Sequence, residues 1–142
     1  MRVYQKGVTL IELLTVIAVV GILGTIALTS YRNNVVRGNR VDATAALLRL
    51  AATQEKLYVT NNSYANTAAL AALGLTTTDR GYYTITVGPD ALTGLMTTGF
   101  FATATPVAGG PQATDAMCTT LTIDHNLLHG STGTAPINDC WK

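Results

Sequence analysis

The amino-acid sequence predicts an α+β protein: one long N-terminal helix, its first half able to cross a membrane, packed on a small antiparallel sheet of about four strands. Three observations predict it. Residues 8–31 read VTLIELLTVIAVVGILGTIALTSY and carry no charge except Glu12. Residues 32–61 contain no proline and repeat apolar side chains at steps of three and four. Beyond Asn61 and Asn62, short runs rich in Thr, Ile, Val and aromatic residues alternate with glycine and proline breakers.

The first element is fixed by length. Twenty-four residues at the helical rise make roughly 36 Å, enough for a hydrocarbon core of about 30 Å. An uncompensated carboxylate in such a helix costs on the order of 2.5 kcal/mol or more, so Glu12 is either functional or snorkels to the interface. The seven residues before the run, MRVYQKG, carry Arg2 and Lys6 and end in Gly7. A secretory signal has a shorter apolar region with its small-residue cut site after it; here the recognition site precedes the run, at Lys6-Gly7-Val8. Residues 1–7 therefore read as a removed leader, 8–31 as a transmembrane helix, 32–61 as its amphipathic continuation and 62–142 as a globular head.

In the continuation, Val41, Leu48, Ala52 and Val59 alternate with Leu47, Leu50, Ala51, Leu57 and Tyr58. Together they predict one apolar stripe against a sheet, with Arg40, Asp42, Arg49, Glu55 and Lys56 largely between them. Gly21, Gly24 and Gly38 are the weak points of this helix, each about 1 kcal/mol worse than Ala; the first two suit close helix packing in a membrane or local unwinding. The first proline is Pro89. In the head, residues 67–73 predict a short helix stopped by Gly74. Strands are expected over residues 82–87, 97–105 and 117–124, with a short fourth over 126–129, as a hairpin meander whose apolar face the long helix covers.

Composition agrees with an anchored, exported chain: 12% of residues are charged and 48% hydrophobic, and 142 residues leave room for one domain beyond the anchor. Charge divides by region. Arg32, Arg37, Arg40, Arg49 and Lys56 face only Asp42 and Glu55 in the stem, whereas the head sets Arg80 and Lys142 against Asp79, Asp90, Asp115, Asp124 and Asp139. Such a head repels phosphates on average, so nucleic acid is not an expected partner; a small patch of Arg80 and Lys142 with Tyr82 and Tyr83 is the alternative. No nucleophile–base spacing or phosphate loop suggests an enzyme, and no cofactor is implied. Cys118 and Cys140 predict one disulfide that staples the tail to the third strand. The rival is a Cys2His2 metal site with His125 and His129, for which the spacing is poor; otherwise the histidines read as surface turn residues.

The segment Lys6-Gly7-Val8-Thr9-Leu10-Ile11-Glu12 resembles the class III leader of type IV pilins and related pseudopilins. The resemblance implies cleavage after Gly7 by prepilin peptidase, N-methylation of the new first residue Val8, and assembly through Glu12, the fifth residue of the mature chain. Family members commonly carry Phe where this chain has Val8, and many have a proline in the second half of the membrane segment. Further on, Tyr82-Tyr83-Thr84, Ala102 to Pro106, Gln112, Asp115, Cys118, Leu121 to Asp124 and Cys140-Trp141 resemble the heads of minor pilins of the PilE/ComP-like group, and residues 40–51 and 55–73 match its stem. The fold implied is the type IV pilin fold. The function implied is that of a minor structural subunit of a type IV pilus, supporting its biogenesis or display in twitching, adhesion or uptake. The alternatives are a ComP-like DNA receptor for natural transformation and a type II secretion pseudopilin. Implied partners are other pilin subunits, prepilin peptidase, the inner-membrane assembly platform and, before assembly, the membrane. Charge counting alone leaves orientation undecided, because Arg2 and Lys6 are opposed by Arg32, Arg37 and Arg40. The cysteines and the leader favour a cytoplasmic N-terminus and a periplasmic head in the bacterial inner membrane, then export to the extracellular fibre.

Overall fold

The computed structural model describes residues 7–141, so Arg2, Lys6 and Lys142, with all of the expected leader but Gly7, lie outside the described residues. The elements are helix α1 (Leu10–Asn61), helix α2 (Thr67–Ala72), strands β1 (Tyr83–Pro89), β2 (Phe100–Pro106), β3 (Thr120–Asp124) and β4 (His129–Thr132), and helix α3 (Ile137–Cys140). The chain forms two compact units that divide between Val35 and Val36, within α1.

Helix α1 begins with a capping arrangement legible in Thr9-Leu10-Ile11-Glu12. The Thr9 hydroxyl accepts from the Glu12 N–H at 3.3 Å, meeting one of the donors that a helix start leaves without a partner. It ends at Asn62, whose N–H still makes the last helical bond, to Tyr58 O at 2.8 Å, and whose φ of 53° then turns the chain out of the helix. Helix α2 is capped by Asn66, whose side chain accepts from the Ala69 N–H. It stops where Gly74 turns to φ 70° and the Leu75 N–H bonds back to Leu70 O. That glycine is the helix stop expected from the sequence.

The four strands form an antiparallel meander in the order β1-β2-β3-β4. Register places Ile85, Ala104 and Leu121 side by side, and Val87, Ala102 and Ile123 in the next row. These inward residues, with Tyr83 and Phe100, join Ala43, Leu47, Leu50 and Ala51 of α1 and Leu70 of α2 in one core. The opposite face carries threonines, as alternation on a half-buried sheet requires: Thr84 opposite Thr105, Thr86 opposite Thr103 and Thr103 opposite Thr122. Both sheet edges are covered. The outer N–H groups of Ile85 and Val87 bond to Thr76 O and Thr67 Oγ1, and Trp141 Nε1 donates to Gly130 O at 2.8 Å on β4.

Several sequence expectations need correction. The apolar positions of α1 are two stripes, not one: Leu47, Leu50 and Ala51 are buried, whereas Val41, Leu48, Ala52 and Val59 are exposed. A helix can bury only one stripe against one sheet. Strand β2 starts at Phe100 instead of residue 97, because residues 90–99 form a turn in which the Asp90 N–H bonds to Gly99 O. Strand β3 starts at Thr120. The fourth strand is β4, displaced from the expected 126–129, since the Asp124 carboxylate accepts from the N–H groups of Asn126 and Leu128 and holds 125–128 as the hairpin turn.

Candidate assembly site

The expected assembly residues sit at the start of α1. Gly7 has open space where a side chain would stand, Val8 is 72% exposed, and Glu12 lies in the first helical turn. That position sets a carboxylate against the positive end of the helix. The Glu12 carboxylate has no hydrogen bond or ion pair among the described residues and so is available to a cation from outside the chain. From Leu10 to Leu28 the large apolar side chains are all about half exposed or more. The hydroxyls among them are satisfied within the helix, Thr15 donating to Glu12 O and Thr25 to Ile22 O, both at 2.8 Å. A helix apolar on every side requires lipid or other helices around it. One helix in the described residues is long and apolar enough to cross a membrane, and it is this one. Thr9, which caps it, was not singled out in the sequence; the T-x-x-E spacing was the available signal.

The second part of α1 is fastened to the head by polar groups, of which the sequence reading singles out on this helix only Arg40, set with other charges between the apolar positions. Arg40 is 4% exposed and Asp115 6%. Arg40 Nε and Nη2 donate to the two Asp115 oxygens at 2.7 and 2.8 Å, Nη1 donates to Asp139 O at 3.3 Å, and Asp115 Oδ1 also accepts from the Cys118 N–H. One side chain thus ties α1 to the 107–119 segment and to α3. A planar guanidinium suits this fork, and full pairing offsets the cost of burying it. Beside it, Asn39 donates to Gln112, and Gln112 donates to Tyr83 OH and Val36 O. Burial pushes the Tyr83 phenol above its ordinary range, although the Gln112 bond works the other way. Tyr83 is fully buried and cannot join a surface patch with Arg80. Gln54, also buried, exchanges two 2.7 Å bonds with the backbone of Ala65 and closes the turn after α1. The only sequence sign of these clamps was their polar identity on a face otherwise apolar.

Cys118 and Cys140 are joined by a disulfide with Cα atoms 5.7 Å apart, so neither thiolate is available to a metal. His129 opens β4 and stacks on Trp141, with centroids 3.9 Å apart and planes 3° from parallel. His125 lies in the preceding turn against Gly99. Arg49 is paired with Asp79 at 3.0 Å on the surface, which raises the guanidinium pKa and lowers the carboxyl's.

The chain matches the family described as "Type IV minor pilin ComP, DNA uptake sequence receptor" over residues 29–122, and the prokaryotic N-terminal methylation motif over residues 2–28. It is 43% identical over 74 residues to the type IV wide pilus major component PilA4 of Thermus thermophilus; the match spans 51% of this chain and 56% of that protein. A solved type IV pilin from Shewanella oneidensis gives a TM-score of 0.48 at 26% identity, covering 75% of this chain and 98% of that one. With the family match extending over the whole second part of the long helix and most of the head, and the methylation motif over residues 2–28, this chain belongs to the type IV minor pilin ComP family.

Proposed function

We propose that the chain is cut after Gly7 by prepilin peptidase, methylated on Val8, held in the inner membrane with its N-terminus cytoplasmic and its head periplasmic, and then drawn through the assembly platform into a type IV pilus. The observation that carries this reading is the unpartnered surface of α1. Every face of its first part is apolar and exposed, with one unpaired carboxylate at Glu12. Further along, Val41, Leu48, Ala52 and Val59 remain exposed at heptad-like spacing on the side away from the core. Lipid can serve the first part before assembly, and neighbouring pilin helices can serve both parts afterwards. In a medium of low dielectric, Glu12 attracts the ammonium of Val8 in an adjacent subunit and selects its register. The disulfide and the Arg40 clamp keep the head folded during export.

The test is the intact mass of the chain from membranes and from sheared fibres, for the unsubstituted protein and for Glu12→Ala. The expected result is loss of seven residues plus one methyl in both fractions, with Glu12→Ala processed but depleted from fibres. An uncut chain confined to the membrane refutes the leader reading, and normal fibre content of Glu12→Ala refutes the docking role.

The family description favours a second reading, a pilus-borne DNA receptor. Charge weighs against it. Arg40 is buried in its ion pair and Arg49 is engaged by Asp79, which leaves Arg37, Lys56 and Arg80 as the exposed described cations of the second unit without an ion pair. Binding of duplex DNA that weakens steeply with salt, with a log–log slope of several phosphate contacts, would establish this reading over a purely structural one.

A further inference from the structure

The buried ion pair of α1 is part of a ring that closes through the disulfide. From Cys118 the ring runs through its N–H to Asp115 Oδ1 at 3.3 Å, and from the Asp115 carboxylate to Arg40 Nε and Nη2 at 2.7 and 2.8 Å. It continues from Arg40 Nη1 to Asp139 O at 3.3 Å, the carbonyl of the peptide that joins Cys140, and the S–S bond completes it. One guanidinium on the long helix therefore reaches the backbone at both half-cystines, at Cys118 through a carboxylate and beside Cys140 directly.

Cys140 needs such placement more than Cys118. Backbone bonds from the N–H of Thr119 to Thr132 O, of Thr134 to Ala116 O and of Ala135 to Met117 O hold the chain as far as residue 135 beside the segment that carries Cys118. Cys140 lies beyond them at the end of α3, a helix of four residues whose N-cap, Pro136, makes no side-chain capping bond. One helical turn does not hold its shape in water by itself. Without the disulfide, the bonds left to place α3 include that of the Trp141 indole to Gly130 O and that of Arg40 to Asp139 O. The second of these comes from the long helix.

We propose that Arg40, seated by Asp115, positions Cys118 and Cys140 for oxidation, so that the disulfide closes on a head whose long helix has already docked. The chemistry is exchange with a disulfide oxidant. One cysteine thiolate attacks the oxidant and releases one thiol, leaving a mixed disulfide; the second cysteine attacks that, forms the Cys118–Cys140 bond and releases the other thiol. Two electrons pass from the cysteine pair to the oxidant, and the two cysteine protons end on the released thiols. The ring acts on the second, intramolecular step, which follows the effective concentration of one sulfur at the other. Coupling is reciprocal, so the closed disulfide tightens the Arg40–Asp115 pair by the same factor. A head whose helix is undocked keeps its thiols, which makes oxidation a check on folding. The device belongs to the head and operates whether or not the chain enters a fibre.

The test equilibrates the full chain in detergent micelles with glutathione and glutathione disulfide at stepped ratios. Free thiols are then alkylated and the oxidised fraction is read by intact mass, which gives the effective concentration of the cysteine pair. Arg40→Met/Asp115→Leu removes the ring while filling its space, and Leu70→Ala weakens the core from α2 without touching the ring. The expected effective concentration is about tenfold lower in the double variant, the worth of one or two ordinary hydrogen bonds. Leu70→Ala is expected to stay within about twofold of the unsubstituted chain, as a distant site does. An unchanged value in the double variant overturns the positioning role. A fall in Leu70→Ala as large as that in the double variant also overturns it, because oxidation would then follow overall stability. Either result leaves the assembly reading standing, since neither is measured on fibres.

Discussion

Removing the Asp115 carboxylate should unfold the head more readily than any change on its surface. Asp115→Ala leaves the Arg40 guanidinium, 4% exposed, without its two short bonds and with only the 3.3 Å bond to Asp139 O. Breaking one partner of a buried pair costs about 3–5 kcal/mol, because the remaining charge stays desolvated. The Cys118 N–H loses its acceptor at the same time. For a unit of roughly a hundred residues this corresponds to a fall in Tm of about 15–25 °C. The assay is thermal and urea unfolding of the full chain in detergent micelles, followed by fluorescence of Trp141, the one tryptophan, which is anchored to β4. The paired variant Arg40→Met/Asp115→Leu removes both charges and is expected to recover most of the loss, since an apolar pair of similar volume can replace a buried ion pair. Raising salt to about 0.5 M should barely change the cost, because buried pairs are weakly screened. Asp115→Ala within about 1 kcal/mol of the unsubstituted protein, or a double variant as unstable as the sum of the singles, would refute the clamp.

Cys140→Ser opens a loop with a sequence separation of 22 and is expected to lower head stability by about 3 kcal/mol; an unchanged urea midpoint would contradict it. Tyr83 has its phenol pKa raised by burial, so the unfolded chain loses that proton first as pH rises. Its contribution is present below the unfolded value of about 10 and is lost as pH climbs through the higher folded value, so Tyr83→Phe should flatten the alkaline fall in stability seen by unfolding at stepped pH. Asp79 has the opposite sign. Arg49 lowers its pKa, so its small contribution is present above the unfolded carboxyl value and fades as pH falls through the folded one. Leu127→Asn relieves a left-handed leucine and should raise stability by about 1 kcal/mol, read as a higher Tm; a lower Tm would mean that the leucine packs within its own head.

How much could be read without coordinates follows from the range of the forces involved. The long helix, its apolar first half, the isolated Glu12, the α2 stop at Gly74 and the pairing of two cysteines are local or compositional. Chain spacing, one charge in an apolar run and one glycine carry them. Strand existence was legible for the same reason, whereas strand ends were not, because Asp90 and Asp124 spend their carboxylates on turn backbone and shift where pairing begins.

Which of two apolar stripes on α1 faces the sheet was a tertiary decision. Val41 and Leu47 are alike as sequence, and only the position of the sheet buries one and leaves the other bare. The same holds for Arg40 and Asp115, separated by 75 residues. Sequence counts one among the charges of the stem and the other among those of the head and does not pair them, since burying a charge is costly unless its partner is already there. The sequence by itself determined that this chain has a long helix with an apolar first part, an amphipathic continuation and a small sheet, because periodicity and hydropathy act along the chain. The tertiary structure decided which side chains clamp the head and which remain for neighbours, because those choices depend on distances between segments far apart in sequence.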